Sequence, residues 1–391
     1  MFWTLDIEIC DLPFDWAQGG EPVEPFVIWC LGFVIFFIIL STYRTVKVWL
    51  TQMKLRYNDF NTYLRSIYGC RVQKISIDAG LSCPNRDGTV STGGCIYCNA
   101  RGSGTGAHNR GLTITEQLLQ GKQALFRRYK AKKFLAYFQS FSNTYAPLDK
   151  LKQLYDEALA VEAVVGLSIG TRPDCVDEPV LDLLQDYARH HLVWIEYGLQ
   201  SARDKTLELI NRGHDVQCFQ DAVRATSNRG IKICAHVILG LPGETASDIL
   251  HTARTIANRG IDGVKLHLLY VVKGTPLEAL YRQGNYRCLE QQEYVDLVCD
   301  FIERLPPQMV IQRLTGDPHP DELVAPQWSL RKSETLQKIK DTLKKRDSRQ
   351  GKSYEFGSGN AECGMTGSGK SECGSRKEKK RTEDRGQKVR S

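Results

Sequence analysis

The sequence predicts an α/β fold: a parallel sheet built from six strand–helix units, preceded by a hydrophobic segment and followed by a basic tail. Three observations carry this prediction. Apolar strand-like runs recur about every 30 residues. Amphipathic helical stretches separate them. The runs are largely continuous in apolar character, as expected of strands covered on their faces. Six such units form either an open doubly wound sheet or an incomplete, TIM-like (β/α)6 barrel. In both, ligands bind at the C-terminal ends of the strands.

The elements follow in order. "VQKISI" (Val72–Ile77) reads as the first strand and ends at a Gly-rich loop. "ITEQLLQGKQALFRRY" from Ile114 is an amphipathic helix with Thr113 as its N-cap. "KFLAYFQ" (Lys133–Gln139) is a strand and "LDKLKQLYDEAL" from Leu148 a helix. "VVGLSIG" (Val164–Gly170) precedes the helix "EPVLDLLQDYARHH", where Pro179 falls in the first turn and its missing N–H costs no helical bond. "LVWIEYG" (Leu192–Gly198) is followed by the helical stretches "DKTLELI" and "CFQDAVRATSNRG". "IKICAHVILG" (Ile231–Gly240) leads to "ASDILHTARTIANRG", and "GVKLHLLYV" (Gly263–Val271) to "LEQQEYVDLVCDFIERL". Beyond Pro306 and Pro307, "MVIQRL" is a candidate further strand. "SETLQKIKDTLKKR" (Ser333–Arg346) is a basic helix with Ser333 as its expected N-cap.

Four regions result: an N-terminal segment over 1–50, a core over 51–305, a strand-and-helix extension over 306–350 and a low-complexity tail over 351–391. The first holds "FVIWCLGFVIFFIIL" (Phe26–Leu40), uncharged and apolar, which reaches eighteen residues with Ser41–Tyr43. Six carboxylates and no Lys or Arg precede it, and Arg44 and Lys47 follow. The expectation is a membrane anchor over 26–43 with the C-terminal side, and so the rest of the chain, cytoplasmic; a buried hairpin is the competing reading. Residues 331–391 carry eighteen basic and nine acidic residues, a net of +9 against +7 for the whole chain, so the positive charge is concentrated at that end. From Gln350 onward apolar content collapses into the loose repeat "GSGNAECG…GSGKSECG", which is expected to be disordered.

With thirteen cysteines in 391 residues and 42% hydrophobic content, the chain can build a core without a disulfide framework. Cys175, Cys218, Cys234, Cys288 and Cys299 read as small buried hydrophobes, and Cys363 and Cys373 as incidental thiols in the tail. Cys83, Cys95 and Cys98 differ. They lie together in "GLSCPNRDGTVSTGGCIYCNA" (Gly80–Ala100), spaced C-x11-C-x2-C. A structural zinc site needs a fourth ligand, for which His108 is the nearest candidate. An iron–sulfur cube held by three thiolates instead leaves one iron without a protein ligand.

The loop and the strand–helix rhythm resemble the radical S-adenosylmethionine (SAM) superfamily, and within it the Elp3-like, YhcC-type group. The resemblance runs from about Arg56 to Gly351. It implies the incomplete barrel, a [4Fe–4S] cluster on Cys83, Cys95 and Cys98, and reductive cleavage of SAM to a radical that abstracts hydrogen from a substrate. Tyr97 in "CIYC" corresponds to an aromatic near the adenine. Gln200, Ser201 and Arg212 in "EYGLQSARDKTLELINRGH" correspond to the region holding the ribose and carboxylate. Gly240 in "HVILGLPGET" lies in the segment along the adenine, and "HLLYVVKGTPL" resembles the group's own signature. The family's Gly-Gly-Glu segment is absent; "FQSFSNTY" stands in its place. The resemblance further implies an electron donor such as flavodoxin or ferredoxin, and suggests tRNA or another RNA as substrate. The competing function is a zinc-stabilised binding module without catalysis, using the three cysteines and His108.

Overall fold

The computed structural model describes residues 56–354 apart from 103, 105 and 259. The segment 26–43 and the residues beyond 354 lie outside these. Among the described residues no helix is long and apolar enough to cross a membrane.

Seven strands form one parallel sheet, in the order β1 (Val72–Ile77), β2 (Lys133–Phe138), β3 (Val164–Thr171), β4 (Leu192–Gln200), β5 (Lys232–Leu239), β6 (Gly263–Leu268) and β8 (Val310–Arg313). Spatial order is chain order, so each new strand is added to the same edge. A doubly wound sheet reverses direction partway; this one does not, and it curls into a partial barrel. "MVIQRL" is realised as β8, parallel to β6, which adds a seventh strand to the six predicted. The run "GVKLHLLYV" is broken. β6 stops at Leu268, and β7 (Val271–Val272) turns away to pair antiparallel with β9 (Leu323–Ala325).

The helices between the strands are α2 (Ile114–Tyr129), α3 (Leu148–Ala160), α4 (Glu178–Ala188), α5 (Asp204–Leu209), α6 (Val216–Thr226), α7 (Ala246–Ala257), α8 (Pro276–Arg282) and α9 (Gln291–Glu303). Thr113 caps α2 in a capping box with Glu116, as predicted. The final helix, α10 (Lys332–Lys345), buries Thr335, Ile339 and Leu343, and the Cys299 thiol of α9 reaches the Ile339 carbonyl. Ser333 is not its cap. A 3-10 turn over Gln327–Leu330 runs directly into the helix, so the Thr335 N–H already donates to the Arg331 carbonyl at 3.1 Å. Ser333 therefore lies inside the first turn.

The gap between the edge strands β1 and β8 is covered by α1 (Phe60–Tyr68), which packs on both. The Ile311 N–H donates to the Asn58 carbonyl at 2.8 Å, and Asp59 forms an isolated parallel bridge with Ile311. Phe60 and Tyr63 each meet Trp194 edge-on, with ring centroids 5.7 Å apart. Trp194 is wholly buried, and this cluster fills the barrel below the polar layer described next.

Residues 350–353, where composition places the start of the tail, are packed on the core. Gln350 is buried, donating through Nε2 to the carbonyls of Pro306 and Met309 and accepting from the Asn58 N–H at 2.8 Å. Ser353 N–H donates to the Glu303 carbonyl at 2.8 Å, so the chain is packed through this turn. The five isolated cysteines, Cys175, Cys218, Cys234, Cys288 and Cys299, are buried and not in disulfides, as expected.

Candidate active site at the strand C-terminal ends

The three-cysteine loop follows β1 and is tied down from the far side of the barrel. Asn211 sits at positive φ (+52°) just after α5. Its Nδ2 donates to the Gly94 carbonyl at 2.8 Å, and its carbonyl accepts from Asn85 Nδ2 at 2.6 Å. The Ile96 N–H donates to the Ile210 carbonyl at 3.1 Å, and the Ile96 carbonyl accepts from Leu277 N–H of α8 at 2.9 Å. Gly93 and Gly94 both lie at φ +81°, a conformation side chains rarely adopt, and bring the chain round to Cys95. Arg86 donates to the carbonyls of Cys98 and Asn99, at 2.8 and 2.5 Å.

Cys83, Cys95 and Cys98 all line a cavity of about 510 Å³ and are free thiols. Cys95 is the most enclosed, at 6% exposure. Its Sγ accepts from Asn85 Nδ2 and from Arg212 Nη1, both at 3.6 Å. Burial raises its pKa, but the Arg212 charge and hydrogen bond outweigh burial and the thiol is held below its ordinary value. Cys98 goes the other way: burial prevails over Arg86 and holds the thiol up. Arg212 is positioned by Nε and Nη2 bonds to the Gly198 carbonyl, at 3.2 and 2.8 Å. A Cβ on Gly198 would stand 2.5 Å from Arg212 Nη2, so only glycine permits this approach.

The donor set fits a cluster better than a single ion. Among the described residues, no three His, Cys, Asp or Glu side chains stand where one ion could take them all. A four-iron cube is wider and needs its three sulfurs farther apart. His108 packs its ring over Gly80, where a Cβ would meet it at 2.4 Å, and is not among the cavity-lining residues. The zinc set of three cysteines and His108 is therefore not assembled.

Below the loop the cavity floor is a polar layer on the inner faces of the strands. Glu196 of β4, wholly buried, accepts from Lys265 Nζ at 2.8 Å, from His236 Nε2 at 2.6 Å, and from Lys74 Nζ and Ser168 Oγ at shorter range. Lys265 also donates to the Tyr137 hydroxyl at 2.7 Å. Register explains the convergence: His236 pairs across the sheet with Lys265, and Lys265 with Arg313. Burial alone would neutralise Glu196, but Lys265 and Lys74 hold its carboxyl well below the usual range. Burial pushes the Lys265 ammonium down to about 7 and His236 down to about 4. His267 stays neutral, through burial and the neighbouring Arg313.

Of the residues singled out in the sequence, Cys83, Cys95, Cys98, Tyr97, Gln200 and Arg212 line one cavity. Gln200 does so at φ +74°, on a bulge where the β4–β5 register shifts. Ser201 and Gly240 are not among the lining residues. Ser201 is buried and bonds Glu244, and the Gly240 carbonyl accepts from the Tyr286 hydroxyl at 2.9 Å. Sequence reasoning missed Asn85, Asn211, Arg313 and the Lys74–Glu196–Lys265 layer. The signal was present as a single charge inside each of three apolar strands: Lys74 in "VQKISI", Glu196 in "LVWIEYG" and Lys265 in "GVKLHLL".

A seven-stranded partial barrel with three thiols at its C-terminal mouth defines the class of protein. Residues 88–256 match the Radical SAM superfamily and residues 261–345 the Radical_SAM C-terminal domain. The chain is 41% identical over 300 residues to Bacillus subtilis (strain 168) YtqA, covering 77% of this chain and 93% of that one. It is 39% identical over 278 residues to Escherichia coli (strain K12) YhcC, covering 71% and 89%. A shorter match, 30% over 156 residues, is to a tRNA uridine(34) acetyltransferase of Dehalococcoides mccartyi (39% of this chain, 33% of that one). In fold the protein is similar to Elp3 of the archaeon Methanocaldococcus infernus, at TM-score 0.55 and 15% identity, over 71% of this chain and 64% of that one. The chain belongs to the radical SAM superfamily and is a radical SAM enzyme of the YhcC type.

Proposed function

We propose that Cys83, Cys95 and Cys98 hold a [4Fe–4S] cluster, that SAM binds beside it in the same cavity, and that the substrate is an RNA, with tRNA as the leading candidate. The observation that carries the cluster assignment is the donor set itself: three free thiols on one anchored loop, one of them backed by a guanidinium and an amide. When bound, the cluster supplies one electron to the SAM sulfonium, which breaks to methionine and a 5′-deoxyadenosyl radical, with a flavodoxin or ferredoxin as the electron source.

The residues of this chain do the rest. Asn85 and Arg212 direct N–H groups at Cys95 and favour the thiolate. Arg86 fixes the backbone at Cys98 through two carbonyls. Asn211 and Ile210 lock the loop to the end of α5, so the three sulfurs keep their places. Tyr97 lies among apolar side chains at the cavity wall and offers a flat surface for an adenine. RNA is supported by the named activity of the tRNA uridine(34) acetyltransferase relative and by the basic C-terminal end of the chain.

The test is metal and sulfide content. Anaerobically prepared protein should contain iron and acid-labile sulfide, and changing the three cysteines to Ala should abolish both while the circular dichroism of the fold persists. A triple variant that keeps the iron, or a parent that holds stoichiometric zinc, overturns the assignment. RNA is tested by crosslinking in cells; recovery of no RNA with the full-length protein rejects that substrate.

A further inference from the structure

Among the described residues, one guanidinium lining the cavity has neither a carboxylate nor a role on the cysteine loop to answer its charge. Its carboxylates are all engaged: Glu196 by Lys74, Lys265 and His236, Asp317 by Lys332 at 3.0 Å, and Glu322 by Arg101 at 2.6 Å. Arg172 pairs with Asp174 at 2.6 Å. Arg86 and Arg212 serve the cysteine loop. Arg313, at the end of β8, has no carboxylate within ion-pair distance among the described residues. Its Nη2 lies against the His267 ring, and its Nε is buried without a hydrogen-bond partner.

That arrangement is costly unless something completes it. A guanidinium is always charged, and a buried donor left unpaired is destabilising. His267 gives no charge compensation, because beside Arg313 it is neutral. The Arg313 fork has the planar geometry that matches two oxygens of a carboxylate or phosphate. The His236 ring lies 5.8 Å from that of His267, so two imidazoles flank the position.

We propose that Arg313, with His267 beside it, is an anion subsite that receives a carboxylate or phosphate of the substrate and so fixes its orientation in the cavity. This rests on the cavity being the substrate site, as proposed above. Arg313 makes none of the contacts that hold the cysteine loop, so the subsite is assigned to the substrate and not to the cluster.

The experiment is a thermal-shift titration of the full-length, anaerobically prepared protein with sodium phosphate and with sodium acetate. Sodium chloride of equal ionic strength serves as reference, and the parent is compared with Arg313→Gln and Arg313→Lys. At least one anion should raise the parent's melting temperature saturably, with the midpoint about 10- to 100-fold higher or the response lost in Arg313→Gln, and an intermediate response in Arg313→Lys. A response to phosphate alone identifies a phosphate source, and to acetate alone a carboxylate. Without added anion, Arg313→Gln should melt no lower than the parent, because no ion pair is removed. SAM affinity and iron content should be unchanged. The subsite is overturned if neither anion acts on the parent, if the response persists in Arg313→Gln, if that variant melts lower, or if it loses SAM. A parent without iron would instead defeat the cluster assignment, leaving the anion titration readable by itself.

Discussion

Glu196→Gln should be the most damaging isosteric change in the barrel. Four donors converge on this wholly buried carboxylate, among them the ammonium groups of Lys74 and Lys265. The amide keeps the shape and removes the charge. Lys74 is 16% exposed and can turn toward the cavity; Lys265, at 5%, cannot. Breaking a buried pair from one side costs about 3–5 kcal/mol. An unfolding entropy of about 2.1 cal/mol/K per residue over roughly 300 residues gives about 0.6 kcal/mol/K, so the melting temperature should fall by about 5–8 °C. The pH dependence has a definite sign. Lys265 is held down to about 7 in the folded protein, whereas an unfolded lysine keeps its proton to about 10.4. Between those values the unfolded chain binds more protons, so this group's contribution to stability rises with pH. Without Glu196, native Lys265 releases its proton at still lower pH. The deficit against the parent should therefore be largest near pH 5, shrink as pH rises toward 7, and level off above it. Calorimetric melts of the metal-free protein across that range measure it. Glu196→Gln combined with Lys265→Met should recover more than half of the loss. A fall of less than about 2 °C for the single variant, or a double variant as unstable as the single, would refute the assignment of a mutually dependent charge layer.

Three further outcomes are expected. Arg212→Ala should weaken SAM binding about 10- to 100-fold, the equivalent of one charge-assisted contact at about 1.5–3 kcal/mol; unchanged affinity in equilibrium dialysis removes Arg212 from the SAM site. Thr113→Ala, which deletes the α2 capping box, should lower stability by about 1 kcal/mol in denaturant titration and leave SAM affinity untouched. Deleting residues 355–391, which carry nine Lys/Arg against six Asp/Glu, should weaken RNA retention at low salt, with a difference that shrinks as salt rises; equal retention at every salt concentration would separate the tail from RNA binding.

The strand and helix order was legible because it rests on periodicity that tertiary structure does not override. Continuous runs such as "KFLAYFQ" and capped helices such as that after Thr113 carry their own signal. The cysteines were legible because three thiols at that spacing on one Gly-rich loop suit few kinds of site. The doubly wound alternative could not be excluded from the sequence, since both architectures share the same strand–helix grammar; only the observed strand order separates them. Ser333 misled because a preceding 3-10 turn, which has weak sequence preferences, starts the helix early. The basic helix read over Ser333–Arg346 is α10, and what the sequence did not show is that its other face packs against α9. Ser201 and Gly240 were placed by correspondence with a motif, and each neighbours a lining residue without lining the cavity.

The polar layer shows why a site of this kind hides in its own strands. In a parallel barrel one face of each strand looks outward to helices and the other inward, so an apolar run with a single charge still reads as a covered strand. What the run cannot show is that Lys74, Glu196 and Lys265, far apart in sequence, meet on the inner face of the curled sheet. Three isolated irregularities then become one network around a single carboxylate, and Arg313, paired with Lys265 on the next strand, has no carboxylate within ion-pair distance among the described residues. Trp194 and its aromatic neighbours fill the barrel below this layer, and the cysteine loop lies at the strand C-terminal ends above it. A group entering the cavity therefore meets fixed charge at the floor and thiols at the mouth. Among the described residues no carboxylate answers the Arg313 charge, which is the place the proposed anion subsite gives to the substrate.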